Sequence, residues 1–284
     1  MKKLVPPLAI ALCALAARAT PTTTVWAPST TAIQPFLTPH LTYDTYFWRR
    51  GSAGSTSSAI YPVTTGLTMG VLPFDNLQLE VGFDLLLPAD NPLLLNAKLG
   101  IPEDRLLKWM PSFAIGIMGV GTKGTTATQL GTDYDMLYAQ AQHSLPFGGF
   151  VSVGGYYGLQ PRLYLSSAGD EQRAGFIGGA GSPDIVVDLP WLQKVTLTAD
   201  VQTGKNTFGA AAGALNLFFT DKISVLMGPV YFFDRSLQPG SSQVMWTMQL
   251  DIDMPLRPAA PASPAAPAAA APAPAPANAR AEAK

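Results

Sequence analysis

Cysteine is all but absent: the chain of 284 residues has one, Cys13. That residue lies in an N-terminal apolar run of the export-signal type, so the processed chain has no thiol. Disulfides, thiolate metal sites and a cysteine nucleophile are thereby excluded. Histidine is nearly as scarce, with only His40 and His143. Charged residues make up 13% of the chain, and no basic cluster of the kind a nucleic-acid partner needs is present. No segment keeps a helical period, and no apolar run is long enough to cross a bilayer as a helix.

What the chain does have is alternation. Within residues 77–87, Leu77, Leu79, Val81, Phe83, Leu85 and Leu87 share one face, while Gln78, Glu80, Gly82 and Asp84 share the other. A period of two puts successive side chains on opposite sides of a strand. Recurring in segments of about ten residues, it is the signature of a transmembrane β-barrel. Twelve strands are expected, near 37–48, 62–72, 77–87, 93–101, 111–120, 133–143, 149–159, 173–182, 194–203, 207–219, 223–233 and 243–254.

The two ends are of other kinds. Lys2 and Lys3, the apolar run Leu4–Ala16 and the small-x-small site Ala17-Arg18-Ala19 read as a signal peptide over 1–19, with Thr20 as the first mature residue. Removing it leaves 15 basic against 19 acidic side chains, a net of −4. Residues 20–36 are expected to be a periplasmic lead-in to a barrel spanning 37–256. Residues 257–284, almost wholly alanine and proline from Pro258 to Ala277, read as a solvated, extended tail.

The connections sort by length. Pro73–Asn76, Ser144–Gly148 and Thr220–Lys222 are tight turns, with Pro102–Met110 and Pro183–Gln193 somewhat longer; Ile185, Val186 and Val187 leave the last of these open to a strand reading. Arg49–Tyr61, Gly121–Thr132, Gln160–Gln172 and Asp234–Ser242 are long and polar, with Pro88–Pro92 and Gly204–Asn206 as short members of that set, and the two classes alternate along the chain. With an even strand number this puts the short turns and both termini on one side, as in barrels with short periplasmic turns and longer extracellular loops. Aromatics cluster at both strand ends: Phe47, Tyr156, Tyr157, Phe208, Tyr231 and Phe232 by the long loops, and Phe74, Trp109, Phe147 and Trp191 by the turns. Rings of this kind form the two interfacial girdles of a membrane barrel.

Over residues 34–256 the chain resembles the porin-like outer-membrane β-barrels of Gram-negative bacteria, and segments such as Asn96–Asp104 and Thr203–Gly209 look like pieces of an uncharacterised family. The resemblance implies an all-β, closed, antiparallel, up-and-down barrel in the outer membrane. Lipid, lipopolysaccharide and the barrel-assembly machinery are its expected partners, with peptidoglycan within reach of the tail. The last strand, Val244–Met254, runs into that tail instead of ending the chain on an aromatic residue.

If the apolar faces meet lipid, the polar faces line the lumen. Asp44, Glu80, Asp84, Lys98, Asp200, Gln249 and Asp251 are the expected lumen residues. Acids outnumber bases among them, and confined carboxylates favour cations. The function expected is a passive channel for small polar solutes, leaning weakly to cations. The alternative is a structural barrel whose lumen is filled and whose tail tethers. A lipid hydrolase needs a histidine set on a serine, but the adjacent residues His143 and Ser144 point to opposite strand faces, so no catalytic residue, metal site or cofactor is expected. Asp251 and Asp253 share one strand face without a third ligand in view.

Overall fold

The structure, a computed structural model, describes residues 23–47, 63–87, 89–129 and 131–256. The expected signal peptide and tail lie outside them. Thirteen strands pair in sequence: β1 (Pro39–Phe47), β2 (Val63–Gly70), β3 (Gln78–Leu87), β4 (Leu93–Ile101), β5 (Ser112–Gly121), β6 (Met136–Ser144), β7 (Phe150–Gly158), β8 (Ala174–Gly181), β9 (Ile185–Leu189), β10 (Leu192–Gln202), β11 (Ala210–Phe218), β12 (Ile223–Phe232) and β13 (Val244–Asp253). Every pairing between them is antiparallel, and β13 pairs with β1, so the sheet closes on itself. No wall edge is left for lipid to meet unpaired backbone groups.

The wall has twelve positions because β8 and β9 share one. β10 pairs with β8 through Thr198–Gln202 and with β9 through Leu192–Val195. Pro183 separates the two pieces, since proline has no N–H to give the ladder. Ser182 spans the gap, its N–H reaching the Leu197 carbonyl at 2.8 Å and its hydroxyl accepting from Leu197 N at 2.9 Å. The 183–193 stretch, expected mainly as a connection, is thus half strand, turning back at Pro190–Trp191. This hairpin continues past the start of β7, whose first residue Phe150 is already level with Gly181.

Side chains sort by parity. Ile115, Val153 and Leu197 point outward and are 58%, 54% and 54% exposed, whereas Glu80, Lys98 and Gln249 point inward and are fully buried. A water-soluble barrel would reverse this arrangement, because exposing an apolar band costs free energy that only lipid removes. The protein is a transmembrane β-barrel.

Three expectations about interiors change. Tyr156, Phe208 and Phe232, expected in the girdle by the long loops, face inward: Tyr156 and Phe208 pack in one aromatic core and Phe232 in another. Phe47, Tyr157 and Tyr231 remain outside at that rim, and Phe74, Trp109, Phe147 and Trp191 at the other. The sixth strand begins at Met136 rather than 133, because the Asp133 carboxylate turns back to the Thr125 N–H and hydroxyl. The third change concerns residues 20–36. Their described part, from residue 23, is not a lead-in outside the barrel. It lies in the lumen.

Candidate functional site

The segment 23–36 has the composition of a strand that cannot pair. Pro28 and Pro35 interrupt its donors, and threonine, serine and alanine supply little to pack in lipid. Its backbone groups need partners, and the polar inner wall provides them. Val25, Trp26 and Ala27 donate three consecutive N–H groups to one oxygen, Oδ2 of Asp200, at 2.7, 2.8 and 3.0 Å. Gln249 Nε2 donates to the Val25 carbonyl at 2.7 Å, and the Trp26 indole N–H to the Phe208 carbonyl at 2.8 Å.

From there the chain travels around the inside of the wall toward the short-turn rim. The Ser29 carbonyl accepts from the Ser152 hydroxyl of β7. Thr30 donates to Gln142 of β6 at 3.2 Å, and the Thr31 hydroxyl meets that of Ser112 of β5 at 2.6 Å. Gln34 N donates to Glu80 Oε2 of β3 at 2.8 Å, and Leu37 N to the Gly70 carbonyl of β2 at 2.9 Å. The segment therefore meets the strands in nearly reverse order and enters β1 after a circuit of the lumen.

The seven expected lumen residues all face inward, but they divide by task. Asp200, Glu80 and Gln249 hold the inner segment. Lys98 Nζ lies 3.2 Å from Glu80 Oε1, both side chains out of solvent. Asp251 and Asp253 clasp His40 from its two ring nitrogens, at 3.2 and 2.7 Å. Asp44 and Asp84 remain. Asp84 accepts from Asn96 Nδ2 at 2.6 Å, and Asp44 from the Thr64 hydroxyl at 3.4 Å. They flank β2 from either side. The Asp84 carboxylate lies over Gly66, where a Cβ would come within 1.9 Å of its oxygen.

These two carboxylates face a cavity of about 400 Å³ in the long-loop half of the barrel. One side is the polar wall of β1–β4, with Thr42, Thr68 and Asn96 beside the carboxylates. The other is aromatic and thioether-rich, with Trp26, Tyr134, Tyr164, Phe208, Met118 and Met136. Its roof comes from the loops. Tyr164, fully buried in the short turn Pro161–Tyr164, hangs inward and donates its hydroxyl to the Tyr134 carbonyl at 2.9 Å. The roof loops are tied at the rim, where Asp234 accepts from Ser167 N and Oγ at 3.1 and 2.6 Å and from Ser236. Those bonds hold the Asp234 carboxyl down at about 2. Asp133 is lowered too: burial raises it, but the bonds from Thr125 and Gln160 outweigh that.

No protein-family model and no curated protein sequence matches this chain. Among solved structures it is similar to the NanC porin, at 9% identity and a TM-score of 0.43 over 76% of this chain and all of that one. It is also similar to an outer membrane channel from Pseudomonas putida F1, at 15% identity and a TM-score of 0.41 over 83% of this chain and all of that one.

Elsewhere on the rim, His143 and Ser144 meet at the short-turn end. Glu103 contacts the imidazole of His143 and accepts from Ser144 N at 3.1 Å, so one carboxylate holds both residues through different groups. The inward aromatics were within reach of sequence reasoning in part: Tyr46, Tyr138 and Tyr156 fall on the same parity as their strands' polar residues. Trp26 and Tyr164 lie outside strands and carry no such signal.

Proposed function

We propose that the protein is an outer-membrane barrel acting as a narrow passive channel for small polar solutes. In this reading the long loops are extracellular and the short turns periplasmic. Its outward apolar band faces lipid, with lipopolysaccharide around the long-loop rim. The observation that carries the reading is the cavity of about 400 Å³ inside a closed wall, beside polar inner faces that the inner segment partly covers. Selectivity leans to cations, but through fewer groups than Asp44, Asp84, Asp200 and Asp251 together. Asp200 is committed to backbone N–H groups and Asp251 to His40, so the lean falls on Asp44 and Asp84.

The assembly machinery would read an internal strand, β13, whose outward residues include Trp246, Met248 and Leu250. Leu256 N donates to the Leu37 carbonyl at 3.0 Å, beside the start of β1. Residues 257–284 follow from the short-turn rim, where they would reach toward peptidoglycan.

Planar-bilayer recording of the purified barrel tests the channel. The intact protein is expected to pass small, cation-leaning currents, and deletion of residues 20–35 to raise them severalfold. Silence from both proteins, each correctly folded by heat-modifiable gel mobility, overturns the channel. It would favour the second reading, a structural barrel with a filled lumen, which the bonded circuit of residues 25–34 already supports.

A further inference from the structure

The chamber has two chemically distinct walls, and between them they describe a ligand. On the polar side, Asp44 and Asp84 supply two carboxylates. Neither has a lysine or arginine within ion-pair reach among the described residues. The described residues lining the cavity likewise include no lysine or arginine. His40 is the one cationic candidate there, and it is held between Asp251 and Asp253, so that cluster adds no net positive charge. A guest with a positive group would find its counter-charges in place.

The opposite side is built of aromatic rings. Trp26 stands edge-on to Tyr46 with ring centroids 5.6 Å apart, and Phe208 packs against Tyr134 at 5.1 Å and Tyr164 at 5.0 Å. Aromatic faces attract cations and cover apolar bodies, and they do both best out of water. A small neutral sugar would stack on the rings but bring no charge to the two carboxylates, and an anion would be repelled by them. The volume, about 400 Å³, lies in the range of sites for small organic molecules.

We propose that this chamber binds a small amphipathic organic cation, an ammonium group carried on an aromatic or compact apolar body. The ammonium sits toward Asp44 and Asp84 on the β1–β3 wall, and the body lies against Trp26 and Phe208. Both rings come from outside the strands, Trp26 from the inner segment and Phe208 from the β10–β11 loop. The inner segment and that loop thereby complete the site, with the buried Tyr164 packed behind Phe208. This deepens the proposed function and rests on it for the chamber's place in the barrel; binding itself does not require conduction.

The test uses the full-length mature barrel in detergent, with four probes: benzyltrimethylammonium, tetramethylammonium, benzyl alcohol and phenylacetate. Calorimetric titration is read alongside quenching of tryptophan emission. Benzyltrimethylammonium should bind about tenfold or more tighter than each of the others, as expected for a ring and a charge recognised together. The Asp44→Asn/Asp84→Asn double variant should lose about tenfold in that affinity, and Trp26→Leu severalfold with most of the quenching. Equal binding of benzyl alcohol or phenylacetate overturns the proposal, as does unchanged affinity in a folded double variant. If the double variant does not fold, the probe series on the unaltered protein decides alone. Binding together with silence from both the intact and the deleted barrel removes the channel and leaves this site; current without preferential binding removes this site and leaves the channel.

Discussion

Val25 and Asp200 are 175 positions apart in the chain, yet the backbone N–H of the first lies 2.7 Å from the carboxylate of the second. Trp26 and Ala27 donate to the same oxygen, so one wall residue fixes the inner end of the lumen segment. A carboxylate that accepts three main-chain donors forms charge-assisted bonds, each stronger than a neutral one.

Asp200→Ala should therefore release that end. Hydrogen bonds to a charged group contribute about 1.5–3 kcal/mol each, less than additively when they share an acceptor, so a loss of about 3 kcal/mol is expected. Asp200→Asn keeps an acceptor oxygen and should cost less than half as much. Thermal unfolding in detergent gives the magnitude, and protease cleavage near Val25 in the Ala variant alone gives the location. Equal stability of all three proteins would contradict the anchoring role.

The Glu80–Lys98 pair predicts a different pattern. Removing one partner of a buried pair strands the other, at about 3–5 kcal/mol. Lys98→Met should thus be more damaging than the double variant Lys98→Met/Glu80→Gln, in which no charge is left alone. Glu80 also accepts from Gln34, so the double variant keeps a residual loss. Chemical unfolding of the four members of the cycle measures the coupling, and strict additivity would speak against a buried pair.

Gly116 is predicted to be intolerant of any side chain. The Tyr138 ring lies over it, with the ring carbon bearing the hydroxyl 2.4 Å from where a Cβ would stand. Gly116→Ala must displace that ring, at about 1–3 kcal/mol of overpacking. In a Tyr138→Ala background the same change should cost almost nothing. Melting temperatures of the pair of alanine variants, made singly and together, provide the check.

Acid should loosen the long-loop rim late. Asp234 is held at about 2 against an ordinary 3.8, by bonds from Ser167 and Ser236. A group with a lowered folded value contributes stability that is complete above its unfolded value and disappears as pH falls through the folded one. The Ser167–Asp234 tie should therefore persist at pH 4 and open near pH 2. Hydrogen-exchange protection of the two loops, relative to the intrinsic amide rate at each pH, measures it, and Asp234→Asn should make that protection nearly independent of acid. Opening of the unaltered loops already at pH 5 would contradict the assignment.

Much of the wall could be read from the sequence, because in a barrel between lipid and a polar lumen parity alone decides where a side chain points. Leu79, Val81 and Phe83 faced outward for that reason, and Glu80 and Asp84 inward. The division of labour among the inward residues could not be read. Asp44 and Asp200 have the same parity and charge, and only the folded path of residues 25–27 occupies one and spares the other. Pro183 misled in the opposite sense: its missing N–H breaks the ladder, but Ser182 carries the pairing across. Gly66 and Gly116 on the inner face leave room for a neighbour's side chain, which parity alone does not reveal.

The circuit made by residues 23–36 also bears on assembly and on where labels belong. This stretch directly precedes β1, one side of the seam where β1 and β13 meet, so closing the seam with the segment already inside spares threading it through a finished barrel. A reporter fused ahead of Thr23 begins at a residue that lines the chamber, and should interfere with closure in proportion to its bulk. One fused beyond Leu256 starts outside the wall, and should leave assembly undisturbed.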